Sequence, residues 1–515
     1  MLVASLLGAL NVLSFAPFFI WPLQMISSAA MFFLLVQHRH WNKKQCFFLG
    51  FSYAFSTLFL GISWLSIAMA RYGGMPWVLS LLAVALLAAF LALFYACAFG
   101  LAKWIKERRD TSDQVMLLLL LPSLFLLCEY LRAYVFTGFP WLSTGYAHQV
   151  SSLAGFAPVL GVIGVGGVSA LTAGAVALAA TARYWRWRML ALILGCFAFG
   201  FGLQQIAWTS PVGQSLTVRL IQGNVDQGEK FDRAFVERQL QQYATLLQQK
   251  PADIIAIPET ALPIPTSQLP ATFLSDLQHF ALSNDSHLAL GVVVEDVTQT
   301  GVQTYTNSLI GLGKEQQNAS YRYDKHHLVP FGEFVPYGFR WFVNMLQIPL
   351  GELASPGVQQ AAMQVKDQRV MPNICYEDLF GMEIAAQLRA QAATKVGAAS
   401  ILLNISNLAW YGDSIAIDQH LQIAQMRTLE TGRPMLRSTN TGATAIISAQ
   451  GKVQAQLPRL MQGSLDGHVQ GMQGLTPYIR FGDLTGILLG ISALLVAWYL
   501  SAGAKASNLL HTQAQ

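Results

Sequence analysis

The chain has 515 residues, of which 53% are hydrophobic and only 11% charged, against roughly 25% charged in an ordinary soluble domain. That balance excludes a wholly water-soluble protein and predicts that much of the chain lies in a membrane. The formal charge of +5 does not argue for nucleic acid binding, because Lys and Arg gather in short loops between apolar runs, where they serve as a topology signal.

Seven apolar runs come first, at about 1–17, 19–37, 46–70, 75–102, 114–135, 153–182 and 189–207, and an eighth lies at about 483–502. Most reach or approach the roughly 20 residues that cross a bilayer; the first two are short or interrupted by prolines. Met1 leads straight into apolar residues with no charged stretch before them, so a cleavable signal peptide is not expected. Basic residues mark alternate loops: Arg39, Lys43 and Lys44; then Lys103, Lys106, Arg108 and Arg109; then Arg183, Arg186 and Arg188. The intervening loops are nearly bare, with Arg71 in one and Arg132 at the edge of another. The basic loops are expected in the cytoplasm. The N-terminus is then cytoplasmic, run seven delivers the polar segment to the far side, and run eight returns Lys505 to the cytoplasm. In a bacterium the far side is the periplasm or the outer surface.

Two features within the apolar part admit more than one reading. Gly161, Gly164, Gly166 and Gly167 faintly resemble a phosphate loop, but inside a span close helix packing is the simpler explanation. Glu129 and Arg132 share one helix face; they are either a structural pair or part of a site, since ionisable groups at membrane depth are costly. The segment Thr137–Leu142 reads as an aromatic-rich interfacial loop.

The polar segment, about 211–475, alternates strands with helices. Leu216–Gln222, Asp253–Ile257, Leu288–Val294, Thr304–Leu312, Val370–Cys375 and Ser400–Ile405 read as strands. Val236, Leu240, Tyr243 and Leu247 mark one face of a helix. Helices are expected at about 380–394 and at 415–430, the second ended by Gly432 and Pro434. Met435–Ser448 is β again, broken at Asn440-Thr441-Gly442. This alternation predicts an α/β domain with a buried sheet.

Of the five cysteines, only Cys375 lies in the polar segment, so no disulfide partner is near. It sits where a strand turns into a helix, a position that favours thiolate. Two other polar residues also follow β-like runs: Glu259 after Ile254–Pro258, and Lys325 after Tyr321–Asp324. A carboxylate, an ammonium and a thiol suffice for acyl transfer. The carboxylate takes the thiol proton, the thiolate attacks a carbonyl, and the ammonium steadies the oxyanion. Singly, each could be bland: Glu259 a loop residue, Lys325 part of a solvated cluster with Asp324, His326 and His327. These histidines lack a zinc-ligand spacing, so no metal or cofactor is expected.

The words Pro258-Glu259-Thr260-Ala261, Tyr323–Glu333 and Asn373-Ile374-Cys375-Tyr376-Glu377 resemble the Glu-Lys-Cys signature of the nitrilase superfamily. With seven apolar runs before and one after, the whole chain resembles that superfamily's membrane-embedded branch, the apolipoprotein N-acyltransferases. Glu129–Arg132, Phe136–Leu142, Gln222-Gly223-Asn224, Gly432-Arg433-Pro434 and Asn440-Thr441-Gly442 extend the match. The resemblance implies an α/β nitrilase-type α-β-β-α sandwich inserted in a polytopic bundle of about eight spans. Its parts would be residues 1–210, a transmembrane bundle; 211–475, an extracytoplasmic catalytic domain; and 476–515, a last span and tail. It implies transfer of an acyl chain from a glycerophospholipid, usually phosphatidylethanolamine, to Cys375 as a thioester. The chain then passes to the α-amine of a diacylglyceryl-cysteine apolipoprotein, the last step of lipoprotein maturation at the inner membrane. Glu259 maps to the base, Lys325 to the oxyanion-stabilising lysine and Cys375 to the nucleophile. Glu333, Tyr376 and Glu377 map to supporting positions, and the N–H of Tyr376 would face the oxyanion.

There are departures from the family pattern. Phe231 stands where the family usually has tryptophan, which removes an indole N–H donor. Ser406-Asn407-Leu408-Ala409-Trp410-Tyr411-Gly412 carries Leu408 where the family has aspartate. That carboxylate is either dispensable or replaced by Asp413. Phe231, Trp410 and Trp341 are the aromatic residues expected against substrate. Five aromatics between Phe334 and Leu346 suggest either a helix packed on the domain or an arm that lies on the membrane and gates the acyl chain. Two other classes compete: a membrane-anchored amidase using water as acceptor, and a transporter with an inert domain. The wall of apolar runs argues against the first. The absence of repeated halves argues against the second.

Overall fold

The computed structural model describes residues 1–230, 232–297, 301–316, 321–340 and 352–512. Phe231 and Trp341, with most of the expected gating arm, lie outside the described residues. By contacts the chain divides into a helical unit (1–66, 77–207 and 481–515) and a sheet unit (67–76 and 208–480).

Among the described residues, five helices of the helical unit are long and apolar enough to cross a membrane: Trp77–Arg109, Asp113–Thr137, Ser152–Thr181, Arg183–Gln204 and Leu484–Ser501. The bent pair Lys43–Gly61 and Leu65–Arg71 makes a sixth if counted as one span. The first two apolar runs form only the shorter helices Leu2–Ser14 and Pro22–Gln37. The backbone turns extended at Phe15, just before Pro17, and proline cannot supply the N–H that would continue a helix. The glycine run serves close packing. A Cβ on Gly167 would stand 3.0 Å from the Leu126 side chain, and one on Gly166 would stand 3.2 Å from the Gly145 nitrogen. Glu129 and Arg132 are both buried and pair at 3.6 Å. Arg132 also donates to the carbonyl of Trp141 (2.8 Å) and to Ser143 Oγ (2.8 Å). Glu129 accepts from Tyr95 (2.6 Å) and from the Thr144 hydroxyl (2.6 Å). Both charges are spent on holding the 139–144 loop to its helix, which decides for the structural pair.

In the sheet unit, β1 (Ser210–Pro211) and β15 (Met472–Gln473) form a two-stranded clasp. The first sheet runs β14 (Gly463–Val469), β2 (Leu216–Gln222), β3 (Ile254–Ala256), β5 (His287–Val297), β6 (Gln303–Leu312), β7 (Tyr321–Asp324), with β4 (Leu262–Pro265) beside β5. The second runs β13 (Val453–Gln456), β12 (Ala445–Ile447), β11 (Met435–Thr439), β10 (Ile401–Ser406), β9 (Gln368–Ile374), β8 (Met363–Val365). The centres of both sheets, β2–β3–β5 and β9–β10–β11, are parallel.

The near-continuous apolar runs of these strands are what burial on both faces demands. Leu216, Val218 and Leu220 alternate with residues of the other face, as do Ile401, Leu403 and Ile405; these six meet in one cluster shared by the two sheets. The opposite face of the first sheet, with Ile221, Ile255 and Ile257, packs on Leu240, Tyr243 and Leu247 of the helix Arg233–Gln248. The opposite face of the second, with Met371 and Leu402, packs on Ile384 and Leu388 of Gly381–Ala392 and on Ile417 and Ala424 of Ala416–Thr431. The layers therefore run helix, sheet, sheet, helix. The last helix stops at Gly432, which takes φ +61, a conformation glycine adopts without a Cβ clash.

Candidate active site

Three strand ends bring the chemistry together. Glu259 follows β3, Lys325 follows β7 and Cys375 follows β9. The backbone is strained at two of these points, with φ +46 at Thr260 and φ +53 at Cys375. A cysteine held in the left-handed region of a strand-to-helix bend is costly, and such strain is kept where the surroundings over-determine it. Gly291 of β5 passes directly behind the first turn; a Cβ there would lie 2.0 Å from the Pro258 carbonyl.

The polar groups form a closed diamond. Lys325 Nζ donates to Glu259 Oε1 (3.0 Å) and to Glu333 Oε1 (2.8 Å). Asn307 Nδ2 donates to the same two oxygens, at 2.7 Å and 3.0 Å. The outer oxygens are occupied as well, Glu259 Oε2 by the Asn407 N–H (2.9 Å) and Glu333 Oε2 by the Val329 N–H (2.8 Å). A second lysine, Lys230, is buried and donates to the Glu259 carbonyl at 3.0 Å. Two carboxylates thus sit among two lysines, and the Cys375 thiol is hydrogen-bonded to Glu259.

The protonation states follow from this arrangement. Burial penalises the Glu259 charge, but Lys325 and Lys230 outweigh it and hold the carboxyl below its ordinary value. Burial also penalises Lys325, and Glu259 and Glu333 outweigh it, holding the ammonium well above the usual range. Burial lowers Lys230 to about 8, with Glu259 opposing. Cys375 is pushed up, first by burial and then by Glu259, with Lys325 opposing only in part. This corrects the expectation of a resting thiolate. The dipole at the bend is overridden by desolvation and a facing carboxylate, so the resting pair is thiol and carboxylate, ready for proton transfer on attack.

The supporting residues divide. Glu377 is buried and accepts the N–H groups of Ile374 (2.6 Å) and His326 (2.7 Å) and the Tyr323 hydroxyl (3.0 Å). It therefore fastens the strand of the thiol to the loop of the lysine. His326 also pairs with Glu383 at 3.0 Å. Burial would lower His326, but the hydrogen bonds to Glu377 and Glu383 raise it to about 9. The Tyr376 ring turns away onto His327 and Phe380, while its backbone N–H follows the nucleophile directly. Trp410 is 38% exposed, over Tyr72 rather than within the diamond. Leu408 is buried in the outer cluster, and Asp413 pairs with Arg459 at 3.3 Å, so Asp413 does not replace the missing carboxylate in the diamond.

Sequence reasoning missed Asn307 and Lys230 and assigned Asn407 no role. The signal for Asn307 was slight: one polar side chain in the middle of an otherwise β-rich run. Its geometry yields a prediction. Asn307→Leu removes one donor from each carboxylate. A hydrogen bond to a charged group contributes about 1.5–3 kcal/mol, so the Glu259 pKa should rise by roughly one to two units. Acylation needs the ionised form, and its acid limb should move to higher pH by that amount. An unmoved limb in single-turnover kinetics would show that Asn307 is not coupled to the base.

Comparison with known proteins joins this geometry to the helical unit. The family model for the apolipoprotein N-acyltransferase N-terminal domain matches residues 7–175, and that for carbon-nitrogen hydrolase matches residues 217–476. An apolipoprotein N-acyltransferase from Ralstonia nicotianae is 43% identical over 96% of this chain and 92% of its own length. One from Nitrosomonas europaea is 39% identical over 98% and 97%. The chain belongs to the apolipoprotein N-acyltransferase family. Among solved structures, an amidase from Nesterenkonia sp. is similar at 13% identity and a TM-score of 0.37, over 53% of this chain and 96% of that one. The apolipoprotein N-acyltransferases named here match along nearly the whole chain, from the apolar helices through the strands that carry Glu259, Lys325 and Cys375.

Proposed function

We propose that the chain moves a fatty acyl group from a glycerophospholipid to the α-amine of a diacylglyceryl-cysteine apolipoprotein, by way of a thioester on Cys375. Phosphatidylethanolamine is the expected donor. The observation that carries this reading is the meeting of the Cys375 thiol, at a strained bend, with a carboxylate that Lys325 and Asn307 hold ionised. Glu259 takes the thiol proton as sulfur attacks the ester carbonyl. The tetrahedral oxyanion is met by the Lys325 ammonium and the Tyr376 N–H. Collapse breaks the C–O bond, and the departing lysophospholipid oxygen takes the proton from Glu259. In the second half, the neutral amine attacks the thioester and gives a proton to Glu259. The C–S bond breaks, and the sulfur recovers that proton. Glu333 and Glu377 position the lysine and the bend without touching the reacting carbonyl.

The helix–sheet–sheet–helix layers are read here as the nitrilase-type sandwich, and the apolar helices as about eight spans, the two short N-terminal helices included. Residues 1–210 form the membrane bundle, apart from the stretch 67–76 that groups with the sheet unit, 211–475 the catalytic domain, and 476–515 the last span and tail. The basic loops support a catalytic domain in the periplasm and a bundle in the bacterial inner membrane. Reporter fusions near Arg186 and near Pro211 test this. The first should read cytoplasmic and the second periplasmic; a cytoplasmic reading at Pro211 overturns the orientation. The function itself is tested by intact-protein mass after incubation with phospholipid alone. One fatty acyl group should add and should leave with hydroxylamine.

A further inference from the structure

Arg71 stands outside everything assigned so far. It is the single basic residue of the stretch Ile62–Pro76 and ends the short helix Leu65–Arg71, between apolar runs where the topology rule leaves the chain otherwise bare of basic residues. Residues 67–76 group with the sheet unit. There the Tyr72 ring meets Trp410 edge to face, with centroids 5.4 Å apart. Ile67 comes up to Gly412, where a Cβ would stand 4.0 Å from its Cγ2 and where φ is +56. Trp410 and Gly412 close the loop that opens with Asn407, the backbone donor to the Glu259 carboxylate at 2.9 Å. That loop also carries Tyr411 within electrostatic range of Cys375. Tyr72 is in turn within electrostatic range of Asp226, on the loop that ends at Lys230. The loop that opens with Asn407 therefore comes up to Tyr72, Asp226 acts on Tyr72 at longer range, and Arg71 stands beside it.

Arg71 is exposed, its side chain bonds the Tyr72 phenol, and it forms no ion pair with a carboxylate among the described residues. The Asp226 carboxylate instead accepts the Gly228 N–H at 2.7 Å. A guanidinium offers five N–H donors in a planar fork that matches a phosphate, and one bond to a phenol leaves most of that fork available. A cation at this place separates the two substrates of the proposed reaction. The acceptor brings an amine, which a cation repels when protonated. The donor brings a phosphodiester anion a few bonds from the ester that is attacked.

We infer that Arg71, steadied by Tyr72 beside the loop that opens with Asn407, binds the phosphodiester of the acyl donor and so orients its ester toward Cys375. This rests on the function proposed above. The full chain in mixed micelles is given two donors, phosphatidylethanolamine and p-nitrophenyl palmitate, the second without a phosphate. In Arg71→Gln the ratio of kcat/KM for the phospholipid to that for the nitrophenyl ester should fall about tenfold, through KM. Arg71→Lys should keep part of the ratio, because an ammonium retains the charge but not the fork. Equal loss on both donors, or no loss on either, overturns the inference. So does millimolar inorganic phosphate that inhibits loading from both donors equally in the parent chain, since a free-anion site would do that. A parent chain that takes no acyl group from either donor removes the proposed function, and this inference with it, which is a result distinct from an unchanged ratio.

Discussion

Cys375→Ala should take up no fatty acyl group from phospholipid, where the parent chain takes up one. Removing the nucleophile from an enzyme that works by acyl transfer costs on the order of 10⁶ in rate, which here means a fall to background. The other four cysteines, Cys46, Cys97, Cys128 and Cys196, all lie on apolar helices of the helical unit. The bend itself should persist. Glu377 holds the turn through the Ile374 N–H at 2.6 Å, a bond that does not involve the thiol. Thermal melting should therefore stay within a few degrees of the parent. Because burial and Glu259 raise the thiol, the parent should also react slowly with iodoacetamide at neutral pH and faster as pH rises. Wild-type acyl loading on Cys375→Ala, or a hydroxylamine-labile acyl group on another residue, would refute the assignment.

The second large effect concerns the diamond. Glu259→Gln keeps the shape but removes the base, and loading should fall by about 10²–10⁴ at pH 7. Lys325→Met acts differently. It leaves Glu259 and Glu333 facing each other with only Asn307 between them, at 2.7 Å and 3.0 Å. Two carboxylates that share a single amide donor repel each other, so one carboxyl should titrate at higher pH. The sign is definite. Lys325 now holds Glu259 down; without it the Glu259 pKa rises, and the ionised base is lost at a higher pH than in the parent. The acid limb of loading should move up, on top of a loss of about 10²–10³ for the missing oxyanion donor. Breaking a buried pair also costs about 3–5 kcal/mol of stability, so Lys325→Met should melt earlier than Glu259→Gln. Rates within tenfold of the parent for Glu259→Gln would assign the base to another group.

Much of this was legible before any coordinates. The low charge content and the basic loops announce a membrane protein, because a bilayer admits few charges and sorts those that remain. Buried parallel strands must be apolar on both faces, and so Leu216–Gln222 reads as a strand and is one. Gly432 marks its helix end because only a residue without a Cβ enters the left-handed region freely. Other elements were silent. The strand Gly463–Val469 pairs with β2 along its whole length, yet it lies at a sheet edge with half-exposed residues and so carries no apolar run. The helix Phe273–Ser283 was missed as well; only Leu277 and Ala281 on it are fully buried.

By itself, then, the sequence determined the membrane class, the main strands, and the three residue types of the proposed triad at their strand ends, because each of these is a local property of pattern or motif. Tertiary structure alone decided what surrounds them. Asn307 reaches both carboxylates because the β6–β7 register sets Ser308 opposite Asp324 and gives the Asn307 carbonyl the Lys325 N–H at 2.8 Å. Lys230 closes on Glu259 from a loop 29 residues away. The thiol's resting proton, contrary to the sequence expectation, follows from burial and a facing carboxylate. A pattern records which face an element buries; it does not record which polar atoms of distant elements are left to meet, and the charge state of each group depends on that meeting.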